Sequence, residues 1–295
     1  MSGAPPSTRT ISLAPFNTAL VARVVAVVAA AAGLTVLLGW LLGVSALTAP
    51  WPGWRPSSPV SALCAVVAAA SVVLTTGFAS NKGAARAFRA AAVAGAMFCA
   101  VLGMATLVAY VGDFELPSGI IAVGGHVRMA MLSASSFILL GCALLLLNTP
   151  RRWMHTVAQW LAIVTCGLSY FAALAAALIG PSLYRAVSIA FSAPPTALMI
   201  TLVGVGTVLA GRDGGVVEAL AGRGPGGTLL RRVLLYTLTI SPILAALELR
   251  AELTGYIDLS VGVAMLATAN ILLFCVVAWV TARAIDRADA KRRDA

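Results

Sequence analysis

Eight apolar segments of membrane-spanning length constrain this chain more than any other feature of its sequence. A hydrocarbon core about 30 Å thick is crossed by one helix of about 20 apolar residues. Hydrophobic residues make up 60% of the chain and charged residues 10%, against roughly 25% charged residues in a soluble domain. The sequence therefore predicts an all-α, polytopic membrane protein with about eight transmembrane helices. The predicted segments are 18–43, 59–79, 90–111, 129–147, 155–179, 195–210, 233–249 and 259–281.

The distribution of Lys and Arg predicts how these segments are oriented. With the N-terminus in the cytoplasm, four of the 20 basic residues fall in outer gaps: Arg55, Arg128, Arg185 and Arg250. Because cytoplasmic gaps are enriched in Lys and Arg, we predict that both termini are cytoplasmic. The net charge of +10 then reports orientation, and the expected partner is the lipid bilayer, not nucleic acid.

Three parts are predicted along the chain. Residues 1–17 form a polar cytoplasmic tail, 18–281 the eight-helix transmembrane domain, and 282–295 a charged cytoplasmic helical tail. No Pro or Gly interrupts the junction near 281, so we expect the last helix to continue unbroken to about Ala290. Residues expected to transmit a signal are Pro242, Asn270, Arg283, Ile285 and Arg287. The alternative is that the basic residues of the tail only hold it against anionic lipid.

An internal repeat is indicated at an offset of 63 residues. Residues 133–134 and 139–141 match 196–197 and 202–204, which predicts that the third and fourth segments repeat as the fifth and sixth. In the third segment, small residues recur every fourth position, a spacing that allows close helix packing. They are Ala91, Gly95, Cys99 and Gly103.

Several short motifs in the second half carry a family resemblance. They are PSLY at 181–184, PTAL at 195–198, GGTLLRR at 226–232, GYID at 255–258, ANILLF at 269–274 and ARAIDRADAKRR at 282–293. With them, residues 128–295 resemble the multi-helix membrane input region that precedes PAS, histidine kinase or diguanylate cyclase domains in bacterial signalling proteins. The resemblance implies a location in the bacterial cytoplasmic (inner) membrane. It also implies a cytosolic signalling domain as partner at the C-terminus, one that this chain does not contain. Self-association into a homodimer is left open.

Candidate catalytic and metal-binding residues were sought and set aside. The chain has two histidines, and the segment 129–147 places His126 and His155 about 30 Å apart at opposite membrane faces, so they cannot share one iron. The five cysteines lie in apolar segments without metal-ligand spacing. We predict no enzyme activity in these residues and no cofactor or metal.

Polar side chains at the predicted outer face form the candidate ligand site. Glu248 is its most suggestive member, because it lies nearest the apolar part of the seventh segment. The set is Tyr110, Asp113, Glu115, His126, Arg128, Tyr184, Arg185, Glu248, Arg250, Glu252, Tyr256 and Asp258.

Three classes of function remain open on the sequence. The first is a sensory or anchoring input module, the second a small-molecule or ion transporter, and the third a structural membrane subunit. Transporters have ionisable residues or broken helices near the membrane midplane. Only Pro242 and Asn270 lie there, and neither is ionisable, so an input module is the preferred hypothesis.

Overall fold

The computed structural model describes residues 18–50, 55–77, 82–112, 128–186, 192–211, 216–217, 225–255 and 259–293. These ranges are helical and contain no strand, which confirms the all-α prediction for the described part of the chain. The helices are α1 (Thr18–Leu42), α2 (Ser45–Thr48), α3 (Pro59–Thr76), α4 (Lys82–Val111), α5 (Met131–Leu147), α6 (Arg152–Ala186), α7 (Pro194–Ala210), α8 (Pro225–Leu253) and α9 (Leu259–Arg293).

Each predicted segment coincides with one of the longer helices. Six of them, α1, α3, α4, α6, α8 and α9, contain spans that are long and apolar enough to cross a membrane. Helices α5 and α7 are equally apolar in character but have 17 residues each, at the lower limit for a transmembrane helix. The long apolar helices therefore suggest a polytopic membrane protein.

Three predicted boundaries differ from the structure by seven or eight residues. Helix α4 begins at Lys82 and α8 at Pro225, each eight residues before the predicted start. Helix α6 continues through the gap expected at 180–184 and ends at Ala186. Hydropathy marks where a helix leaves an apolar environment, whereas Ala and Arg continue a helix beyond that point. Pro225 is suited to a helix start because its missing N–H needs no partner there.

Six helices form a closed ring of three hairpins. The shorter helices α3, α5 and α7 contact one another on the inside, and the longer α1, α4 and α6 lie outside them. Each outer helix lies between its own inner partner and the inner helix of the preceding hairpin, with α1 against α7 closing the ring. The hairpins are thus α1–α3, α4–α5 and α6–α7.

Buried positions recur at constant offsets in the three hairpins. On the outer helices, they are separated by 70 and then 66 residues: Ala22, Ala92 and Ala158 are equivalent, and so are Ala26, Ala96 and Ala162. On the inner helices the offsets are 72 and 63 residues. The buried inner positions that repeat in all three helices are, in α3 numbering, Ser61, Ala62, Cys64, Ala65, Ala68, Ala69, Ser71 and Val72.

Small residues allow outer and inner helices to approach closely at equivalent positions. A Cβ added to Gly33 would lie 3.0 Å from the Ala62 carbonyl oxygen, and one added to Gly103 would lie 2.7 Å from that of Ala134. The third hairpin has Ser169 at this position, and its hydroxyl donates a hydrogen bond of 2.6 Å to the equivalent α7 carbonyl. Close backbone approach through small residues is a main source of helix association in membranes.

The predicted repeat at offset 63 agrees with this architecture and extends to a third copy. The first hairpin was not recognised in the sequence because Ala69 stands where the other inner helices have Gly141 and Gly204. The stripe on the third segment divides between two neighbours: Gly95 faces Ser71 and Val67 of α3, and Gly103 faces α5.

Helices α8 and α9 form a fourth hairpin outside the ring. They pack on each other, and among the described ring helices α6 makes a small contact with α8. None of the residues in the apolar span of α8 is buried, and 12% of those in the span of α9 are, against 61% in α3. The fourth hairpin is therefore attached to the ring through a small contact area.

Candidate functional site

At one end of the ring, side chains from the outer helices cap the C-terminal ends of the inner helices. We call it the basic end, because Arg23 and Arg89 lie there. Arg23 of α1 donates hydrogen bonds to the backbone carbonyl and to the hydroxyl of Thr76, the last residue of α3. Arg89 of α4 donates to the carbonyl of Asn148, the residue after α5. Thr76 and Asn148 are equivalent by the inner-helix offset. The last carbonyls of a helix lack intrahelical donors and carry partial negative charge, so a guanidinium satisfies both needs.

Gln159 takes the same role in the third hairpin. Its side chain is 1% exposed, and its amide nitrogen lies 3.5 Å from the carbonyl oxygen of Gly211, which follows α7. Its amide oxygen accepts a hydrogen bond of 2.9 Å from the backbone N–H of Val216. All three inner helices therefore end on a polar side chain from their own hairpin.

A cavity of about 440 Å³ lies among these capped ends. Its polar lining includes His155, whose Nε2 is 3.0 Å from the Thr149 carbonyl oxygen. The other ring nitrogen, Nδ1, is buried and has no hydrogen-bond partner among the described residues. The complete lining is Leu74, Thr75, Gly77, Ala85, Phe88, Arg89, Leu147, Asn148, Thr149, Pro150, His155 and Ala210. This lining is suited to a polar group that enters from the basic end of the ring.

At the opposite end, two of the predicted outer residues lie together. The Tyr110 hydroxyl donates a hydrogen bond of 2.9 Å to the Met129 carbonyl, and the Arg128 guanidinium carbon lies 6.0 Å from the centre of the Tyr110 ring. Arg55 donates to the Arg128 carbonyl at 3.2 Å. These contacts fix the chain just before α5, so a structural role accounts for Tyr110 and Arg128.

Several other predicted residues lie outside the described part. Asp113, Glu115, His126, Tyr256 and Asp258 are not among the described residues. Tyr184 and Arg185 belong to the backbone of α6, and Arg283, Ile285 and Arg287 to that of α9, but their side chains are outside the description. Their assignment to a ligand site or to signal transmission stays a prediction.

The fourth hairpin contains the remaining predicted ligand residues. Glu248 lies against the backbone of α9, because a Cβ added to Gly262 would be 2.7 Å from its Oε1 atom. Glu248 also lines a cavity of about 270 Å³ between the two helices, together with Leu244, Leu247, Ala251, Met265, Leu266 and Ala269. Arg250 and Glu252 follow on α8 but do not line this cavity.

Pro242 creates the point at which the ring holds the fourth hairpin. Proline has no backbone N–H, so the carbonyl four residues earlier, that of Leu238, loses its usual helical donor. Tyr170 of α6 supplies one, with its hydroxyl 3.0 Å from the Leu238 oxygen. One turn away from that carbonyl, the Ser241 hydroxyl donates a hydrogen bond of 2.6 Å to Asn270 Oδ1 of α9. Pro242 and Asn270, both predicted to transmit a signal, thus lie at the contacts that join α6, α8 and α9.

Sequence reasoning missed the residues that hold these ends and contacts. The sequence pattern indicates none of the contacts made by Arg23, Arg89, Gln159 and Tyr170. The available signal was positional. Asn148 occupies the place of Thr76 in the next hairpin, but that equivalence emerges only once all three copies of the repeat are aligned.

Comparison with known proteins finds no match: no protein-family model, no curated protein and no solved structure corresponds to this chain. The class therefore follows from the fold alone. Within the described residues, this is an all-helical protein whose long apolar helices suggest several membrane crossings. Its buried polar side chains there are Ser, Thr and Gln, and no described group of three or more His, Cys, Asp or Glu residues could hold a metal ion.

Proposed function

We propose that this protein is the membrane-embedded input module of a bacterial signal-transduction system. In this proposal the eight helices cross the inner membrane, both termini are cytoplasmic, and α9 passes a signal to a cytosolic kinase or cyclase domain. The basic residues at one end of the ring support this orientation through the positive-inside rule.

The observation that carries the proposal is the continuity of α9. The helix runs over 35 residues from Leu259 to Arg293. At 1.5 Å per residue its length is about 50 Å, whereas the hydrocarbon core is about 30 Å thick. The apolar span ends at Thr281, so the charged remainder extends the same helix by about three turns. A continuous helix can carry a rotation or shift across the membrane surface without loss in a flexible joint.

The attachment of the fourth hairpin supports the same function. A segment with few buried contacts changes position at a lower free-energy cost than one packed in a core. Helices α8 and α9 have this character, while the ring is held by close contacts between small residues. The ring then acts as the fixed part, and the hydrogen bond from Tyr170 to the Leu238 carbonyl defines where the hairpin is held.

A transporter has weaker support. Ion-coupled transporters carry ionisable side chains in the bundle interior, whereas the buried polar side chains described in this ring are uncharged. A purely structural subunit differs from an input module in one respect that can be tested. It needs α9 as an anchor but does not need a particular rotational register beyond the membrane.

Register is tested by fusing a histidine kinase after Ala295 and inserting one to seven Ala residues after Ala284. Each inserted residue rotates the kinase by about 100°. Two residues turn it to nearly the opposite side and seven return it after nearly two full turns, so we expect kinase output to be most changed with two residues and restored with seven. Autophosphorylation in isolated membranes is the measurement.

The control distinguishes coupling from lipid anchoring. The five basic residues Arg283, Arg287, Lys291, Arg292 and Arg293 are replaced by Gln without any insertion. If autophosphorylation is unchanged by the insertions but is lost in this variant, the tail is a lipid anchor and the proposal is refuted.

A further inference from the structure

The cavity between α8 and α9 combines a single carboxylate with an otherwise apolar lining. Of its seven lining residues, Glu248 alone is charged, and the others are Leu, Ala or Met. We propose that this cavity binds a small organic ammonium ion, with the cationic nitrogen at the Glu248 carboxylate and the apolar body against Met265 and Leu266.

The first step of the argument is the direction of the Glu248 side chain. Near a helix end, a glutamate can extend toward water and leave the apolar region. Here the carboxylate lies against α9: a Cβ on Gly262 would lie 2.7 Å from Oε1 and 3.2 Å from Cγ. Any larger residue at position 262 would displace it. The glycine thus leaves room for the carboxylate between the helices.

The second step is the lack of a partner for this carboxylate. Among the residues that the structure describes, none donates a hydrogen bond to Glu248 or pairs with its charge. Arg250 is two positions further along α8, a spacing at which side chains of a helix do not face each other. An ionisable group without a partner beside apolar side chains costs free energy, and such groups mark binding sites in membrane proteins.

The third step concerns which ligand fits. An anion would be repelled by Glu248, and a neutral apolar molecule would leave the carboxylate without a partner. The volume of about 270 Å³ is near the lower end of ligand pockets, which suits one aromatic ring or a short alkyl chain.

An ammonium group on an apolar body could come from two sources. One is a soluble amine, and the other is an aminolipid of the bilayer such as phosphatidylethanolamine. An occupied cavity would fix α8 relative to α9. That this changes the signal passed on by α9 rests on the proposed function. Binding itself can be measured without a fused kinase, so its failure and the failure of the register test are separate results.

The test is equilibrium binding of radiolabelled phenethylamine to the full chain in nanodiscs of phosphatidylglycerol. Glu248→Gln should lower the affinity at least about tenfold, as expected for the loss of one charge-assisted contact. Phenethyl alcohol, which has the same body without the charge, should not compete. Glu252→Gln, one turn away and outside the cavity, is the matched control and should stay within about threefold of the original affinity.

A second variant keeps the carboxylate and fills the space. Ala269→Leu should also lower the affinity at least about tenfold, so the test holds even where Glu248→Gln fails to fold. Repeating the measurement with phosphatidylethanolamine in the nanodisc identifies the source. Competition by this lipid in the unaltered protein indicates an aminolipid, and no competition indicates a soluble amine. Equal binding by the unaltered protein and Glu248→Gln, or equal competition by the alcohol, would overturn the proposal.

Discussion

At the scale of single residues, glycine and alanine determine how closely the helices pack. Several close contacts involve backbone atoms: a Cβ on Gly141 would lie 2.6 Å from the Ala96 carbonyl oxygen. A carbonyl cannot rotate away as the end of a flexible side chain can. A single methyl group at such a position therefore requires the two helices to separate. The separation weakens packing along the whole contact between them and so lowers the free energy of unfolding.

Gly103→Ala should destabilise the ring for this reason. We expect a loss of about 1–3 kcal/mol in the free energy of unfolding, because the new Cβ would meet the Ala134 carbonyl oxygen at 2.7 Å. Gly167→Ala is the matched control, since a Cβ there has no neighbour within 4 Å. Denaturation in mixed micelles gives both values. Equal stability of the two variants would contradict the assigned contact.

At the scale of elements, the sequence predicted the helices well and their contacts poorly. The length of the apolar runs predicted a helix at each of the eight segments, because burial in lipid requires long uncharged stretches. It did not identify Arg89 as the cap of α5, because residues 89 and 148 meet only through the packing of α4 against α5. Similarly, Glu248 could be recognised as unusual, but its position over Gly262 depends on the register of α8 against α9.

The contact between α6 and α8 can be tested by a double-mutant cycle. Tyr170→Phe removes the donor to the Leu238 carbonyl and should cost about 0.5–1.5 kcal/mol of unfolding free energy. In a Pro242→Ala background, the new backbone N–H satisfies that carbonyl within the helix, so the same change should cost less than half as much.

Tyr236→Phe is the control for this cycle. Its hydroxyl has no hydrogen bond to any other described residue, so its cost should be the same in both backgrounds. A Tyr170→Phe cost that is unchanged by Pro242→Ala would mean that the two residues are not coupled.

At the scale of the whole molecule, three similar hairpins build a ring, and a different fourth one is added at its side. The inner helix is shorter than the outer one in every hairpin. The two 17-residue helices, α5 and α7, are both inner helices. Whether they cross the membrane fully decides whether the chain crosses eight times. The repeat favours eight, since α3 has the same place in the first hairpin and is itself long enough to span.

Cysteine labelling tests the eight crossings. The five native cysteines are replaced by Ser, and single cysteines are introduced at Ser118, Arg151, Ser188 and Gly214. With eight crossings, a membrane-impermeant reagent should label positions 118 and 188 in intact cells and positions 151 and 214 only after permeabilisation. Labelling of position 151 from outside would show that α5 does not cross.

The closure of the ring by its first and last helices determines how the protein can be made. Helix α1 has a face shaped for α7: a Cβ on Gly206 would lie 3.3 Å from the Ala22 carbonyl oxygen. That partner is synthesised only after α3 to α6, which at about 5–20 residues per second takes roughly ten to thirty seconds. During this interval the small-residue face of α1 is open to the translocation machinery and to other nascent chains. We therefore expect α1 to be held by another protein, or to be released late into the lipid, until α7 has been made.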